Sequence, residues 1–205
     1  MTDVKLFGAG ASPYVRTCMI ALAVKGVAFD HDQAMPQSPK QKARHPWGKI
    51  PAFAHRDVTL FETSAICRYV DAAFAGPALQ PSDIAARAVM EQWISGYNAY
   101  FYQPAVMGIV IQRVVLPQAD EAQVAASVPK AAHALAAFDA ALARTPYFAS
   151  GAPSIADYLV LPLANYLAVV PEGPALFAPV GHVRAWQARM NARPSAAAAK
   201  VLQQK

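Results

Sequence analysis

The sequence predicts an α/β domain followed by an all-helical domain. Three observations carry this reading. A strand, a helix and a second strand follow one another within the first 31 residues, and a strand–turn–strand pattern fills the stretch from Ile50 to Phe61. Beyond Gly76-Pro77-Ala78-Leu79-Gln80-Pro81-Ser82-Asp83, a linker dense in turn residues, strand-like alternation disappears and alanine, the strongest helix former, becomes abundant. The boundaries expected are 1–77 for the first domain and 83–205 for the second, and 205 residues suffice for a sizeable apolar core.

In the first part, Val4-Lys5-Leu6-Phe7 reads as a buried strand ended by Gly8-Ala9-Gly10-Ala11. Ser12-Pro13 has the form of a helix start, with a serine oxygen as cap and proline at the first helical position. Val15, Cys18, Met19, Leu22 and Ala23 recur at helical spacing up to a stop at Gly26. Val27 to His31 reads as the second strand, and strand, crossover helix and strand form a right-handed βαβ unit. Met35 to His45 is polar and broken by proline, which allows only a short or irregular helix. Gly48 permits a tight turn before Ile50-Pro51, and Pro51, which cannot donate to a ladder, belongs at a strand edge or start. Val58 to Phe61 is the next strand, with Thr63 or Ser64 as cap of a helix ending near Phe74.

In the second part, Asp83 caps a helix over Ala86 to Ser95, which Pro104 is expected to kink or end; Leu116-Pro117 closes the next piece. Asp120 to Arg144 is helical around Pro129. Ser154-Ile155-Ala156-Asp157 is a capping box opening an apolar helix through Val169. Pro171 to Pro179 is a loop with one helical turn, and Val180 to Asn191 and Ser195 to Gln204 are the last helices.

The formal charge is +5, with a surplus of basic residues in both parts, and no basic run interleaves with aromatics, so nucleic acid is not an expected partner. Cys18 and Cys67 lie in no metal-ligand spacing, and both read as small core residues; no metal is expected. The five histidines show no ligand spacing either and read as surface or capping residues. Met1 to Lys5 includes an acid and leads into no long apolar run, which argues against a signal peptide and for a cytoplasmic, reducing compartment. Gln92 to Gln112 is uncharged, but its Ser95, Asn98, Gln103 and Pro104 are costly in lipid. A buried helix lining a pocket explains that stretch better than a membrane span.

The chemistry gathers at Ile50-Pro51 and Glu62. A cis bond before Pro51 would turn the neighbouring carbonyl and amide outward as a clamp for an extended peptide. A strand end beside a helix N-terminus offers N–H groups to a carboxylate, and Glu62 there suits an amino group. The end of a peptide carries both.

These stretches, His45-Pro46-Trp47-Gly48-Lys49-Ile50-Pro51-Ala52-Phe53 and Leu60-Phe61-Glu62-Thr63-Ser64-Ala65-Ile66, resemble the glutathione-binding half of a cytosolic glutathione transferase, in its serine-type, phi-like and bacterial form. Ser154 to Asp157 and Arg193-Pro194-Ser195 also match that family, so the resemblance spans the chain. It implies a thioredoxin-like α/β domain with a helical domain, a homodimer, and glutathione as co-substrate for the detoxifying conjugation of small apolar electrophiles. Ser12, besides capping its helix, would then stabilise the thiolate. Ile50 and Pro51 would pair with the cysteinyl part, and Glu62 and Thr63, with Ser64, would take the γ-glutamyl amine and carboxylate. Lys49 would reach the glycyl carboxylate or remain a solvated surface lysine. The basic pair that phi-like relatives carry falls here on Pro36-Gln37, so that contribution is missing or passes to Lys40 or Lys42. The electrophile pocket would be built from Ala11, Tyr14, Tyr97, Tyr100, Phe101, Pro104, Met107 and Ile111, a stripe that plain core packing would also produce. Trp47 would key into the partner subunit.

Ser12-Pro13-Tyr14-Val15 also resembles the Cys-Pro-Tyr-Cys of glutaredoxins with both cysteines replaced, which disfavours cysteine chemistry. A non-catalytic binding protein of the same fold and a glutathione-dependent isomerase are the rival readings. The Ser-Ser-Cys run of maleylacetoacetate-type isomerases is absent.

Overall fold

The computed structural model describes residues 2–199 and divides into two compact units, Met1–Gln80 with the segment from Pro194, and Pro81–Arg193. In the first, four strands, β1 (Val4–Phe7), β2 (Asp30–Asp32), β3 (Ala52–His55) and β4 (Val58–Phe61), lie in the order β2-β1-β3-β4. β1 and β2 are parallel and joined through helix α1 (Pro13–Val24); β3 and β4 form an antiparallel hairpin beside β1. Parallel pairing needs a crossover, and the periodic run from Val15 supplies it.

α1 starts at the expected cap, but more than one face is covered: Arg16, Thr17, Ile20 and Ala21 are buried with Val15, Cys18 and Leu22, while Ala23 is exposed. β2 begins three residues later than the sequence suggests, because the Val27 N–H is taken by the Leu22 carbonyl at 2.9 Å and cannot serve a ladder. The polar stretch after β2 holds one short helix, α2 (Pro39–Lys42), capped by Ser38. Glu62, not Thr63 or Ser64, occupies the N-cap position of helix α3 (Thr63–Ala73), with no side-chain cap hydrogen bond; Thr63 is already helical. Asp71 near its end accepts from Leu79 N–H at 2.8 Å and pairs with Lys25 Nζ at 2.8 Å, so the linker is tied down where it leaves the unit. His45 and His55 are buried, not surface residues; aromatic neighbours cover both.

The helical unit opens with α4 (Ile84–Gly96), whose Asp83 cap accepts from Ala86 N–H at 2.7 Å. Pro104 does not end the helical course beyond α4. The chain instead widens into π-helical segments, Tyr97–Phe101 and Gln103–Val110, before α5 (Ile111–Val114). A wider turn relieves the clash that a proline ring makes with the preceding turn of an α-helix. Gly108 lets this stretch approach α6 (Glu121–Leu142) closely: a Cβ there would stand 2.1 Å from Ser127 Oγ. The capping box opens α7 (Ile155–Val169), and α8 (Gly173–Phe177) and α9 (Gly181–Asn191) complete the unit.

The core of the helical unit is a chain of rings. Phe138 meets Trp93, Phe101 and Phe148 at centroid distances of 5.6, 5.0 and 5.2 Å, and Phe148 meets Trp186 at 5.3 Å. Beside it lies the buried carboxylate of Asp157. Its Oδ1 accepts from Phe148 N–H at 3.1 Å and Trp186 Nε1–H at 2.8 Å, and its Oδ2 accepts from Ser154 N–H at 2.8 Å. One side chain thus bridges three segments.

The second domain was expected to run to Lys205, whereas Pro194–Ala199, a 3₁₀ segment with Ala196 buried, packs on α1 in the first unit. Of the helix expected over Ser195 to Gln204, residues 200 onward lie outside the described residues. Among the described residues no helix is long and apolar enough to cross a membrane.

Candidate active site

Sheet register brings the candidate residues of the first unit to one end. Phe7, the last residue of β1, lies opposite Ala52, the first of β3, and Ala52 lies opposite Phe61, the last of β4. The segments just beyond those residues, Gly8 to Ser12, Ile50-Pro51 and Glu62-Thr63, therefore emerge together. Close packing confirms the first pair: a Cβ on Gly8 would stand 2.6 Å from Val15 Cγ2 and 3.0 Å from Ile50 Cβ. Gly8 thus lies between Ile50 and the first turn of α1.

The loop before α1 is braced at each step. Gly8 N–H donates to Asp32 O at 2.9 Å, the Gly8 carbonyl meets His31 Nε2 at 2.8 Å, and Gly10 N–H donates to Gln33 Oε1 at 2.8 Å. Buried Arg16 sends its Nε–H to the Gly10 carbonyl at 2.8 Å. An arginine one turn into an apolar helix was the sequence signal for this brace, and sequence reasoning did not use it. Ser12, half-buried, accepts from Val15 N–H at 3.5 Å. That is beyond the usual N–H···O range, so the cap engages the hydroxyl only weakly. Ala11 is exposed beside it and Tyr14 is half-buried.

The Ile50-Pro51 peptide bond is cis, and Pro51 is buried while Lys49 and Lys40 are exposed. Glu62 adopts φ 70°, ψ 115°, in a region L residues avoid, with its carboxylate exposed and making no cap hydrogen bond. Such strain costs on the order of 1–3 kcal/mol and collects at ligand clamps. Thr63 is buried and Ser64 half-buried in the first turn of α3, whose N–H groups face the same end of the sheet.

Sequence reasoning missed His45, Gln37 and Gln41. His45 Nδ1 accepts from Trp47 N–H at 3.2 Å, and its ring packs on Phe61 at 4.8 Å. Burial pushes the His45 pKa below the ordinary imidazole value, with the Glu62 charge opposing and Lys49 adding to the effect. Gln37 Nε2–H donates to Trp47 O at 2.9 Å, and Gln41 Nε2–H to Lys49 O at 2.7 Å. Trp47 itself stands 63% exposed, edge-on to Phe61 at 5.9 Å.

The residues expected to form an electrophile pocket in the helical unit do not share one environment. Tyr97 and Phe101 are buried and stack at 5.8 Å, Pro104 and Ile111 are half-buried, and Tyr100 and Met107 face outward. Tyr100 and Pro104 instead line a surface groove of about 540 Å³ with Ala99, Gln103, Pro129 and His133. No group of acids, histidines and cysteines able to hold a metal occurs among the described residues. Cys18 and Cys67 are buried, and burial beside Cys67 pushes the Cys18 thiol well up.

Residues 6–78 match the family profile "Glutathione S-transferase, N-terminal domain" and residues 102–194 match "Glutathione S-transferase, C-terminal domain". Glutathione S-transferase 3 of Zea mays is 33% identical over 95% of this chain and 92% of its own length. Glutathione S-transferase F10 of Arabidopsis thaliana is 32% identical, covering 87% of each. Among solved structures, the theta class glutathione S-transferase of Xanthomonas axonopodis pv. citri with glutathione bound superposes with a TM-score of 0.89 at 27% identity, over 100% of this chain and 99% of that one. Fold, register and sequence agree, and the chain is an enzyme that belongs to the glutathione S-transferase family.

Proposed function

We propose that the protein conjugates the thiolate of glutathione to small apolar electrophiles. The observation that supports this most is the convergence of Ser12, Ile50-Pro51 and Glu62-Thr63 at one end of the sheet. Glutathione needs a thiol deprotonated near neutral pH, a drop on the order of two units from an ordinary cysteine, or about 3 kcal/mol. Ser12 supplies a hydroxyl that can turn from its weak cap to donate to S⁻. The α1 N-terminus adds its N–H dipoles, favourable to an anion.

The remainder of the tripeptide is held by charge and backbone. In this reading Ile50 pairs its main chain with the cysteinyl residue beside Pro51, Glu62 takes the ammonium of the γ-glutamyl end, and Thr63 and Ser64 take its carboxylate at the α3 N-terminus. Lys49 and Lys40, both exposed, are assigned to the glycyl carboxylate. Ala11 and Tyr14, which flank Ser12 in sequence, are the residues the reading keeps for the electrophile.

The enzyme is also proposed to act as a cytoplasmic homodimer. Trp47 is a large exposed aromatic on a braced turn, and the groove of Tyr100, Pro104, Pro129 and His133 offers an apolar receptor for Trp47 of the partner subunit.

A panel of aryl halides, isothiocyanates and hydroperoxides, each followed with and without glutathione, tests the catalytic reading. Glutathione-dependent turnover of at least one is expected. Retention on glutathione-agarose without any turnover would make the protein a binder, and the absence of both would overturn the assignment of the site.

A further inference from the structure

The turn that presents Ile50 is held from one direction. Its three consecutive carbonyls, those of Trp47, Gly48 and Lys49, are bonded respectively by Gln37 Nε2–H at 2.9 Å, Gln37 N–H at 2.7 Å and Gln41 Nε2–H at 2.7 Å. Two glutamines of the segment around α2 therefore fix the peptide planes leading into Ile50-Pro51. The last of these bonds sets the plane of the Lys49–Ile50 peptide, and with it the direction in which the Ile50 main chain faces.

Gln41 is the more informative of the two. Its side chain is fully buried, while Gln37 is exposed. Its amide oxygen is buried with no hydrogen-bond partner among the described residues. A buried acceptor left unpaired is unfavourable, and an apolar side chain of the same shape would avoid it. Packing alone therefore gives no reason for an amide at this position; the donor on its nitrogen does.

We infer that Gln41 is a positioning residue for glutathione: through the Lys49 carbonyl it orients the Ile50 main chain toward the cysteinyl part of the tripeptide. This rests on the reading of the site given above. Gln41 touches no reacting atom, so its removal acts on binding and not on the thiolate.

Calorimetric titration of the full-length protein with glutathione, beside steady-state kinetics and thermal melting, tests this. Gln41→Met keeps the volume and removes the donor. The dissociation constant and KM for glutathione are expected to rise about three- to tenfold, with kcat and the thiolate titration midpoint unchanged. A residue that served only to stabilise the fold would lower the melting temperature and leave the affinity of the folded protein alone; that result overturns the inference. Gln41→Glu gives a second, independent readout if the methionine variant does not fold. When protonated, its carboxyl O–H can donate to Lys49 O; once ionised, it repels that carbonyl. Glutathione affinity of Gln41→Glu relative to the unaltered protein is expected to fall as pH rises through that carboxyl's titration, and a flat ratio overturns the inference. Failure of the unaltered protein to bind glutathione would be a different result, because it removes the reading of the whole site and this inference with it.

Discussion

Replacing Ser12 with alanine separates the two tasks this residue is given. Its hydroxyl accepts from Val15 N–H at 3.5 Å, longer than a well-formed hydrogen bond, so its loss as a cap should cost about 0.5 kcal/mol, the low end for such positions. A hydrogen bond to a thiolate is stronger, about 1.5–3 kcal/mol. Its removal should raise the thiol pKa of bound glutathione by roughly one to two units and slow turnover at neutral pH by roughly ten- to 150-fold. Affinity for glutathione should change little, since in the proposed site Ile50, Glu62 and Thr63 hold the peptide elsewhere. The assay is thiolate absorbance near 240 nm followed against pH for both proteins with glutathione bound. A midpoint that stays in place, with a small loss of melting temperature, would refute the catalytic role and leave the cap.

Glu62→Ala should weaken glutathione binding by about 2 kcal/mol, the loss of one charged hydrogen bond, and calorimetry finding wild-type affinity would contradict its assignment. Trp47→Ala should shift the dimer toward monomer by at least tenfold in dissociation constant, read by light scattering; an unaltered dimer would remove Trp47 as the anchor. Asp157→Asn should destabilise the protein by about 3 kcal/mol in urea, because its new NH₂ must face Ser154 N–H or the Phe148 and Trp186 donors. His45 is held neutral by burial, its folded pKa lying below the unfolded value of about 6.5. Its contribution is therefore fully present above about pH 6.5 and is lost as pH falls toward the folded value; His45→Asn should flatten that part of the stability profile.

Much of the first unit was legible because its signals are local. Ser12-Pro13, Gly48 with Ile50-Pro51, and the alternation at Val58 to Phe61 each specify their own backbone, and the strands pair as those signals imply. What escaped was long-range or unusual in period. Gln41 and His45 act on backbone groups two to eight residues away in a turn whose course no propensity specifies, and the role of Arg16 depends on where Gly10 folds back. In the helical unit the error was one of pitch. Tyr97, Tyr100, Phe101, Pro104, Met107 and Ile111 make a stripe at 3.6 residues per turn. A π-helix turns more slowly, so burial instead follows Tyr97, Phe101, Ala105, Val106, Ile109 and Val110. Nothing in the residue types announces that change of pitch except Pro104, where an α-helix would be strained.

The packing of Pro194–Ala199 on α1 bears on how the protein is made. Chains leave the ribosome from the amino end, and domains usually fold as they emerge. Here the α/β unit is discontinuous: more than a hundred residues of helical unit are translated between Gln80 and the segment that covers α1. Until that segment appears, the face of α1 it covers has nothing from the carboxyl end against it. A nascent chain arrested before Pro194 should therefore expose that face to proteases and chaperones, even with all four strands already synthesised. Completion of the first unit therefore waits until the helical unit has been synthesised.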